Sequence, residues 1–471
     1  MDTRSTTGYS EFFMGKFYPI LIAIIIMAGR FLEYEMISAT AVIMLLSIQL
    51  CVCDSIRPAL FIVPTFLLQI PLSHSPVAPI SSDYYFTGWR LNAIFILAAI
   101  LTMSIIAFIV RRRLWTRLSL RRMKILPALL VLAVAFLANG ALSETWSLRG
   151  FIFGAIEAAF FLLLFMLLFL GLSAEEDEHE LLDYVTYVTL IFAIMILVQM
   201  AHLFAFGNAI VDGTIVKGNV NLGWATCNPL GAVLVTLIPT LIYGAMTKGH
   251  GLIYFITAGL VYIAAICTCS RNALLFGTLV YAVSLIIAVV KTEKKRRRIA
   301  FAVFIAMVVV AAIVMFTVFR EDTYTLFKSY VNQGMSDSGR FEIWRDAWAQ
   351  FLDNRLFGAG FYTSDPAGGN PTIGGVPFMV HNTPLEFLSA AGIFGLLAYF
   401  YYRAETIRPL LVKPTLGKTM LGLSYLIIVA EGLLDVFVLA FWMMLYPFAV
   451  MAVTYRIYEI QMEREPKRRR K

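Results

Sequence analysis

Apolar runs of about 15–23 residues recur along the chain, separated by short polar segments. About 20 apolar residues in a helix cross the hydrocarbon core of a bilayer. Backbone groups in lipid must be hydrogen-bonded within their own segment, which favours helices. The pattern therefore predicts an all-α polytopic transmembrane bundle of about 12–14 spans. The spans we predict are residues 14–29, 36–53, 57–72, 91–110, 125–142, 151–173, 184–206, 227–246, 252–268, 272–290, 299–319, 384–402, 419–437 and 440–457.

One polar connection, residues 320–383, is much longer than the others. Long loops in compact proteins are usually functional. Within this connection, the segment "SDSGRFEIWRDAWAQFLDN" begins with residue types that cap helices. Its apolar residues recur every three or four positions, which predicts an amphipathic helix. We expect this helix to lie on the membrane surface or to pack on the bundle. The residues of that apolar face are Phe341, Trp344, Trp348 and Phe351. The Gly- and Pro-rich segment 363–377 predicts a mobile loop that admits or covers a substrate.

The next predicted span has a marked beginning. Thr383 suits the N-cap, Pro384 the first helical position and Glu386 the third, so the three predict a capping box. His381 precedes that cap by two residues. The positive end of a helix dipole disfavours imidazolium, so this histidine is expected to be neutral and able to accept a proton. A simple polar residue at the membrane interface is the alternative interpretation.

Composition and charge agree with a membrane protein. Of the residues, 60% are hydrophobic and 14% charged, whereas soluble proteins carry about a quarter of their residues as charges. Three short segments, 111–124, 291–298 and 462–471, hold 19 of the 38 lysines and arginines. Basic loops mark the cytoplasmic side. The positions of these segments predict that both termini lie inside and the 320–383 loop outside. The apolar run 17–29 ends at Arg30 without a convincing cleavage site, so the first span is expected to be uncleaved. The spans between the basic segments argue against a nucleic-acid partner.

Two arginines lie on the same predicted side of the membrane as His381. Arg271 lies between two predicted spans, at their outer turn. Charge at membrane depth is costly and often functional, and snorkelling of the side chain to the interface is the alternative interpretation. Arg340 opens the predicted amphipathic helix, where a cation opposes the helix dipole and hints at an anionic ligand. A solvated surface side chain is the other interpretation of Arg340, and it is the one we favour for Arg345 and Arg355.

Three blocks in order, "TCSRNALLFG", "GRFEIWRDAWAQFLDNRLFGAGF" and "HNTPLEFLSAAGIFGLL", resemble the O-antigen ligase and O-antigen polymerase family. The likeness covers about residues 220–400. It implies that Arg271, Arg340 and His381 are the family's two arginines and its histidine. We include Asn382, beside the histidine, among the substrate-binding residues. The sequence departs from the family at Asn272, where small residues such as glycine are usual.

The resemblance implies three regions along the chain. Residues 1–206 are expected to form N-terminal transmembrane helices, and residues 207–402 an O-antigen ligase-like core that includes the 320–383 loop. Residues 403–471 are expected to form C-terminal transmembrane helices and a basic cytoplasmic tail.

The implied activity is glycan transfer, with inversion, from an undecaprenyl-pyrophosphate carrier on the outer face of the bacterial cytoplasmic membrane. Arginines suit the pyrophosphate because they bind its oxygens bidentately, and a neutral histidine suits a general base. No cofactor or metal is expected, since the five cysteines lack metal-ligand spacing and no acidic metal motif is found on the outer side. The expected partners are the lipid-linked oligosaccharide donor, a glycan or lipid acceptor, membrane lipids and other polysaccharide assembly proteins.

Several alternatives remain open. A polymerase and a ligase differ only in the acceptor, with a slight preference for the polymerase. A flippase or other transporter would also need many spans and buried charge, and a non-catalytic scaffold in an export complex is a third option. Four further polar residues within spans could line a glycan path, pair with arginines or fix helix packing: Glu157, His202, Glu431 and Asp435.

Overall fold

The computed structural model describes residues 8–69, 73–75, 78–79, 87–118, 123–172, 177–333, 339–361, 372–373, 376–377, 380–439 and 441–468. The predicted mobile loop at 363–377 lies outside these residues except for two short strands.

Helices make up most of the described chain. Their bounds are α1 Gly8–Met14, α2 Phe17–Phe31, α3 Glu35–Val52, α4 Ala59–Thr65, α5 Gly88–Arg112, α6 Ile125–Leu137, α7 Leu148–Ala159, α8 Phe165–Gly171, α9 Glu178–Phe206, α10 Cys227–Thr247, α11 Gly251–Cys267, α12 Arg271–Lys291, α13 Lys295–Thr317, α14 Arg320–Leu326, α15 Lys328–Gln333, α16 Arg340–Asp353, α17 Thr383–Leu411, α18 Leu416–Glu431 and α19 Leu445–Arg468. A π-helical segment, Phe160–Leu164, joins α7 to α8.

The described strands are short and pair into antiparallel hairpins: β1 Ser73–Ser75 with β2 Ala78–Pro79, β3 Ile210–Val211 with β4 Thr214–Ile215, and β5 Thr372–Ile373 with β6 Val376–Pro377.

Many helices are long and apolar enough to cross a membrane. Within the described residues there are eight: Glu35–Val52, Gly88–Arg112, Leu148–Gly171, Glu178–Phe206, Cys227–Thr247, Arg271–Lys291, Arg297–Met315 and Thr383–Leu411. Shorter apolar helices are Phe17–Phe31, Ala59–Gln69, Ile125–Leu137 and Gly251–Cys267. The prediction of an all-α polytopic membrane protein is confirmed.

The chain divides into two compact units. The first comprises residues 1–114 and 171–334, and the second comprises residues 115–170 and 335–471. The long predicted loop is therefore shared, because α14 and α15 belong to the first unit and α16 to the second. The three regions predicted from the sequence remain a prediction.

In the first unit, α10 is the central helix and contacts α9, α11 and α12. Its residues are almost entirely buried, and small residues allow close approach to its neighbours. A Cβ at Gly231 would lie 2.5 Å from the Cβ of Ala273 in α12, and one at Gly244 would lie 2.4 Å from the ring of Tyr254 in α11. Glycine at both positions therefore lets three helices pack tightly.

In the second unit, α17 is the central helix and contacts α6, α16, α18 and α19. Its helical backbone is interrupted at Gly392, which has φ 67° and ψ −165°. A break leaves backbone N–H and C=O groups without helical partners. An irregular connecting segment, "RLFGAGF" (355–361), supplies partners. The bonds are Ala359 N to Ser389 O (2.9 Å), Gly360 N to Ala390 O (2.9 Å), Ile393 N to Arg355 O (2.9 Å) and Phe394 N to Leu356 O (3.3 Å).

The same connecting segment is also hydrogen-bonded to the turn between α6 and α7. Gly140 N donates to Phe357 O (2.8 Å), Thr145 Oγ1 donates to Ala359 O (2.8 Å), and Phe361 N donates to Asn139 Oδ1 (2.9 Å). The segment that follows the amphipathic helix is therefore held from both sides, and its residues 358–361 are buried.

Candidate active site

The beginning of α17 differs from the predicted capping box. Asn382 is the N-cap, and its Oδ1 accepts from Leu385 N at 3.0 Å. Thr383 is fully buried and its Oγ1 donates to the carbonyl of Asp435 at 3.0 Å. The prediction of Thr383 as the cap was wrong because a tertiary hydrogen bond takes its hydroxyl.

Glu386 reaches back beyond the cap. Its Oε2 accepts from Val380 N at 2.7 Å, while the carbonyl of Val380 accepts from Trp344 Nε1 of α16 at 2.9 Å. Val380 is thus held on both sides and is fully buried. The amphipathic helix and the start of α17 therefore position the residue that follows, His381.

His381 is held in an unusual backbone conformation with a side-chain partner. Its φ is 54°, a left-handed value that costs a residue with a Cβ about 1–2 kcal/mol. Its Nδ1 lies 2.9 Å from Asp435 Oδ1, and the two side chains are 28% and 7% exposed. A carboxylate only accepts, so Nδ1 carries the hydrogen and the lone pair lies on Nε2. The pair thereby selects the tautomer in which Nε2 can take a proton.

The turn after α18 supports this pair. Asp435 Oδ1 also accepts from Val436 N at 2.9 Å, which fixes the carboxylate. Thr383 N donates to Gly432 O (2.7 Å), and Asn382 Nδ2 donates to Leu433 O (2.9 Å). Residues 381–383 are therefore clamped to residues 432–435 by side-chain and backbone bonds.

Asn382 has a clear structural task at this clamp. Its amide oxygen caps α17 and its amide nitrogen binds the carbonyl of Leu433. An amide offers two donor hydrogens and two acceptor lone pairs, so these bonds leave capacity for a ligand. Its role in substrate binding stays a prediction.

Arg340 begins α16 as the sequence predicted, and it is partly buried. The residue before it, Gly339, is the N-cap with φ 75° and makes no side-chain cap. At 100° per residue, Arg340 shares a face of α16 with Trp344 and Ala347. This is the face that packs towards α17, since Trp344 bonds Val380 and Ala347 is fully buried.

The predicted apolar face of α16 is divided in the structure. Trp344 and Phe351 are half-buried, but Phe341 and Trp348 are 68% and 50% exposed. The four rings meet in two pairs, Phe341 with Trp344 at 5.5 Å and Trp348 with Phe351 at 5.3 Å between centroids.

Arg271 belongs to the first unit, where it is the first residue of α12 and partly buried. Ser270 caps this helix by accepting from Ala273 N at 3.4 Å. Tyr330 of α15 donates to Ile266 O at 2.8 Å and approaches Ser270 O at 3.4 Å. Burial raises the pKa of this phenol above its usual range, so it remains a donor. Tyr330 is therefore a positioning residue for the turn that carries Arg271, and sequence analysis missed it.

The same turn holds a buried thiol. Cys269 has φ 54° and no exposed surface. Burial raises the pKa of its thiol to about 12, with Cys267 contributing in the same direction. A thiol that stays protonated is a poor nucleophile and metal ligand. Asn272, the departure from the family pattern, is buried one residue beyond Arg271.

The remaining predicted polar residues have different surroundings. The ring of His202 packs between those of Phe31 (5.0 Å) and Phe206 (5.3 Å). Glu157 and Glu431 are fully buried, and their carboxylate oxygens have no hydrogen-bond partner among the described residues. Asp435 differs from them because it has a partner, His381. The sequence contained a signal for Asp435, because an acidic residue within a predicted span is a functional candidate by default.

The helices and the His381–Asp435 pair define a multi-pass membrane protein with a candidate acid–base site at one end of a helix. Residues 232–400 match the family model described as O-antigen ligase. This confirms the resemblance to the O-antigen ligase and polymerase family. The match includes Arg271, Arg340, His381 and Asn382, while Asp435 lies beyond it. No curated protein matches the chain. The family implies a ligase- or polymerase-type membrane glycosyltransferase with lipid-linked glycan substrates.

Proposed function

We propose that this protein transfers or polymerises oligosaccharide from an undecaprenyl-pyrophosphate donor on the outer face of the bacterial cytoplasmic membrane. The single observation that carries the proposal is the hydrogen bond between His381 Nδ1 and Asp435 Oδ1. It supports a general base at the start of α17, within the segment that matches the family.

The base acts on the acceptor hydroxyl. As the hydroxyl oxygen bonds to the anomeric carbon of the donor glycan, its proton passes to His381 Nε2. The bond from that carbon to the pyrophosphate oxygen breaks, and the pyrophosphate leaves with the electron pair. Attack opposite the leaving group inverts the anomeric configuration. Asp435 stabilises the imidazolium that forms, because its carboxylate accepts the hydrogen bond from Nδ1.

The two arginines act on the leaving group. Pyrophosphate departs without a proton only when its charge is held, and guanidinium groups stay ionised and bind phosphate oxygens in pairs. Arg271 and Arg340 are the residues we assign to this task. Charge held in this way performs the work that a metal ion does in other phosphate sites. The scheme is therefore metal-independent.

The acceptor decides between polymerase and ligase. A polymerase adds the glycan to a second carrier-linked glycan, and a ligase moves it to a lipid or cell-wall anchor. The residues assigned to the chemistry serve either reaction, so the acceptor site alone distinguishes the two.

The test is transfer by the purified full-length protein in lipid nanodiscs, using a defined undecaprenyl-pyrophosphate-linked glycan. Products that lengthen on the carrier indicate a polymerase, and products on a second lipid indicate a ligase. His381→Ala is expected to insert normally and to lose activity by about 10²–10⁴-fold, the contribution of a positioned acid–base group. His250→Ala, at an exposed histidine before α11, is the control and should be active. Full activity of His381→Ala would exclude this histidine as the base.

A flippase is the second candidate. Glu157 and Glu431 are fully buried in α7 and α18, and buried carboxylates within spans are also found in transporters. Vesicles containing the protein would then move a fluorescent lipid-linked glycan between leaflets, and no glycosidic bond would form.

A further inference from the structure

The amphipathic helix α16 (Arg340–Asp353) presents two faces besides the one packed towards α17. At about 100° per residue, Phe341, Arg345, Trp348 and Leu352 lie within about 60° of each other. We call these four residues the interfacial stripe. Phe341 is 68%, Trp348 50% and Leu352 42% exposed, and the Arg345 side chain is 76% exposed. The stripe is thus a row of exposed large apolar groups with one arginine among them.

The face next to the stripe is acidic. Glu342, Asp346 and Asp353 lie together about 100° round the helix and are all exposed. Around its axis, α16 therefore shows a protein-packed face, an apolar stripe and an acidic face in turn. A helix at a membrane surface needs this arrangement when it touches protein, lipid and water at once.

The length of α17 (Thr383–Leu411) shows where the membrane boundary falls. Its 29 residues would span about 43 Å, which exceeds the hydrocarbon core of about 30 Å. The stretch from Gly392 to Leu411 measures about 29 Å, and its charged residues Arg403 and Glu405 are buried within the protein. We infer that the crossing lies there, beginning eight residues beyond the start predicted from the sequence. This puts Gly392, where the helix is interrupted, close to the boundary on the His381 side.

The last residues of α16 are attached to α17 at this level. The carbonyls of Arg355 and Leu356, directly after α16, accept from Ile393 N and Phe394 N. At the other end of α16, Trp344 bonds Val380, before α17 begins. The helix α16 thus descends beside the first turns of α17, with Leu352 nearest the hydrocarbon boundary and Phe341 furthest from it.

We propose that the interfacial stripe docks into the lipid leaflet on the His381 side, with Leu352 and Trp348 at the boundary between headgroups and acyl chains. Tryptophan is favoured at this depth because its ring is amphipathic. The aliphatic stem of Arg345 packs on lipid while its guanidinium reaches the phosphate layer. The acidic face turns to water, away from those phosphates. This contact is independent of any catalytic activity.

The first test uses the protein's own tryptophans in nanodiscs of phosphatidylcholine brominated on one acyl chain. Bromine quenches the emission of tryptophans that touch lipid. Trp348→Phe is expected to lose part of the quenchable emission. Trp344→Phe is the matched control, four residues away on the protein-packed face, and should lose little of it. Equal quenchable emission in wild type and Trp348→Phe would overturn the proposal.

The second test uses spin labels in a background with the five cysteines replaced by serine. Leu352→Cys is compared with Asp353→Cys, the next residue on the acidic face, and with Phe341→Cys. The label at 352 should collide more with oxygen, which concentrates in lipid, and the label at 353 more with a water-soluble nickel complex. The label at 341 should be the shallower of the two on the stripe. Two outcomes overturn the proposal: equal nickel access at 352 and 353, which means water or glycan covers the stripe, or exclusion of both reagents at 352, which means a protein covers it.

Discussion

At the residue scale, His381 and Asp435 are 54 positions apart in the chain and yet share a hydrogen bond of 2.9 Å. The histidine is held by its neighbours, because Val380 is bound by Glu386 and Trp344. The acid is held by Val436 N. Because His381 and Asp435 are each held by other residues, neither side chain has to reorganise when the imidazole gains a proton. A general base requires such a preorganised partner.

Asp435→Asn tests the role of this acid. The amide can still accept from Val436 N, so the turn should keep its shape, but it stabilises imidazolium poorly. We expect the rate of glycan transfer at saturating donor to fall by about 10²-fold, at the lower end for an acid–base group. The measurement is turnover with a defined carrier-linked glycan.

Glu157→Gln is the control for that variant, because it removes a buried carboxylate from the same unit without touching the pair. Its turnover should match the wild type. Normal turnover by Asp435→Asn would show that the hydrogen bond to His381 has no part in the reaction.

Arg340→Lys tests the pyrophosphate ligand. Lysine keeps the charge and loses the planar fork that binds two oxygens together. The loss of one charge-assisted hydrogen bond costs about 1.5–3 kcal/mol, or roughly 10–100-fold in kcat/KM. Arg345→Lys is the matched control, on the exposed stripe of the same helix. Equal kcat/KM for both variants would argue against Arg340 as a phosphate ligand.

At the element scale, α17 (Thr383–Leu411) shows how a helix break is stabilised. Gly392 has φ 67° and ψ −165°, a conformation that is essentially restricted to glycine. The connecting segment 355–361 binds the freed backbone groups on both sides of Gly392. The "FGAGF" motif therefore acts through its backbone hydrogen bonds to α17. Glycine is required at position 358 because a Cβ there would lie 2.3 Å from the carbonyl carbon of Ala390.

Gly392→Ala tests this break. Its Cβ would lie 2.3 Å from the carbonyl oxygen of Leu356, in a strained conformation. We expect the free energy of unfolding to fall by about 3 kcal/mol, measured by thermal unfolding in detergent. Gly249→Ala is the control, because nothing lies within 4 Å of a Cβ there. Equal stability of the two variants would mean that α17 can straighten.

At the scale of the whole molecule, the distribution of basic residues predicts which side of the membrane each loop faces. In the background with the five cysteines replaced by serine, a cysteine in place of Asp346 on the acidic face of α16 should react with an impermeant maleimide in intact cells, and one in place of Lys413 only after lysis. The reason is that basic segments remain on the cytoplasmic side during insertion. Both residues are exposed, so burial does not limit the reaction. The opposite labelling pattern would place the candidate site on the cytoplasmic side and contradict the proposed function.

By itself, the sequence determined the class of the molecule. Apolar runs of spanning length predict helices because lipid offers backbone groups no other partner, and eight helices among the described residues are long and apolar enough to cross a membrane. It also located Arg340 at the start of its helix, and three motifs indicated the resemblance to the O-antigen ligase and polymerase family, whose model matches residues 232–400. These properties depend on residues close together in the chain, which a local pattern can show.

Only the tertiary structure decided which side chains meet. It paired His381 with Asp435, made Asn382 the cap in place of Thr383, and turned Phe341 and Trp348 outwards. Hydropathy does not encode such choices, because every apolar surface of a membrane helix can face either lipid or another helix. Packing between distant segments selects the partner, and a hydrogen bond across 54 residues exists only after those segments have come together.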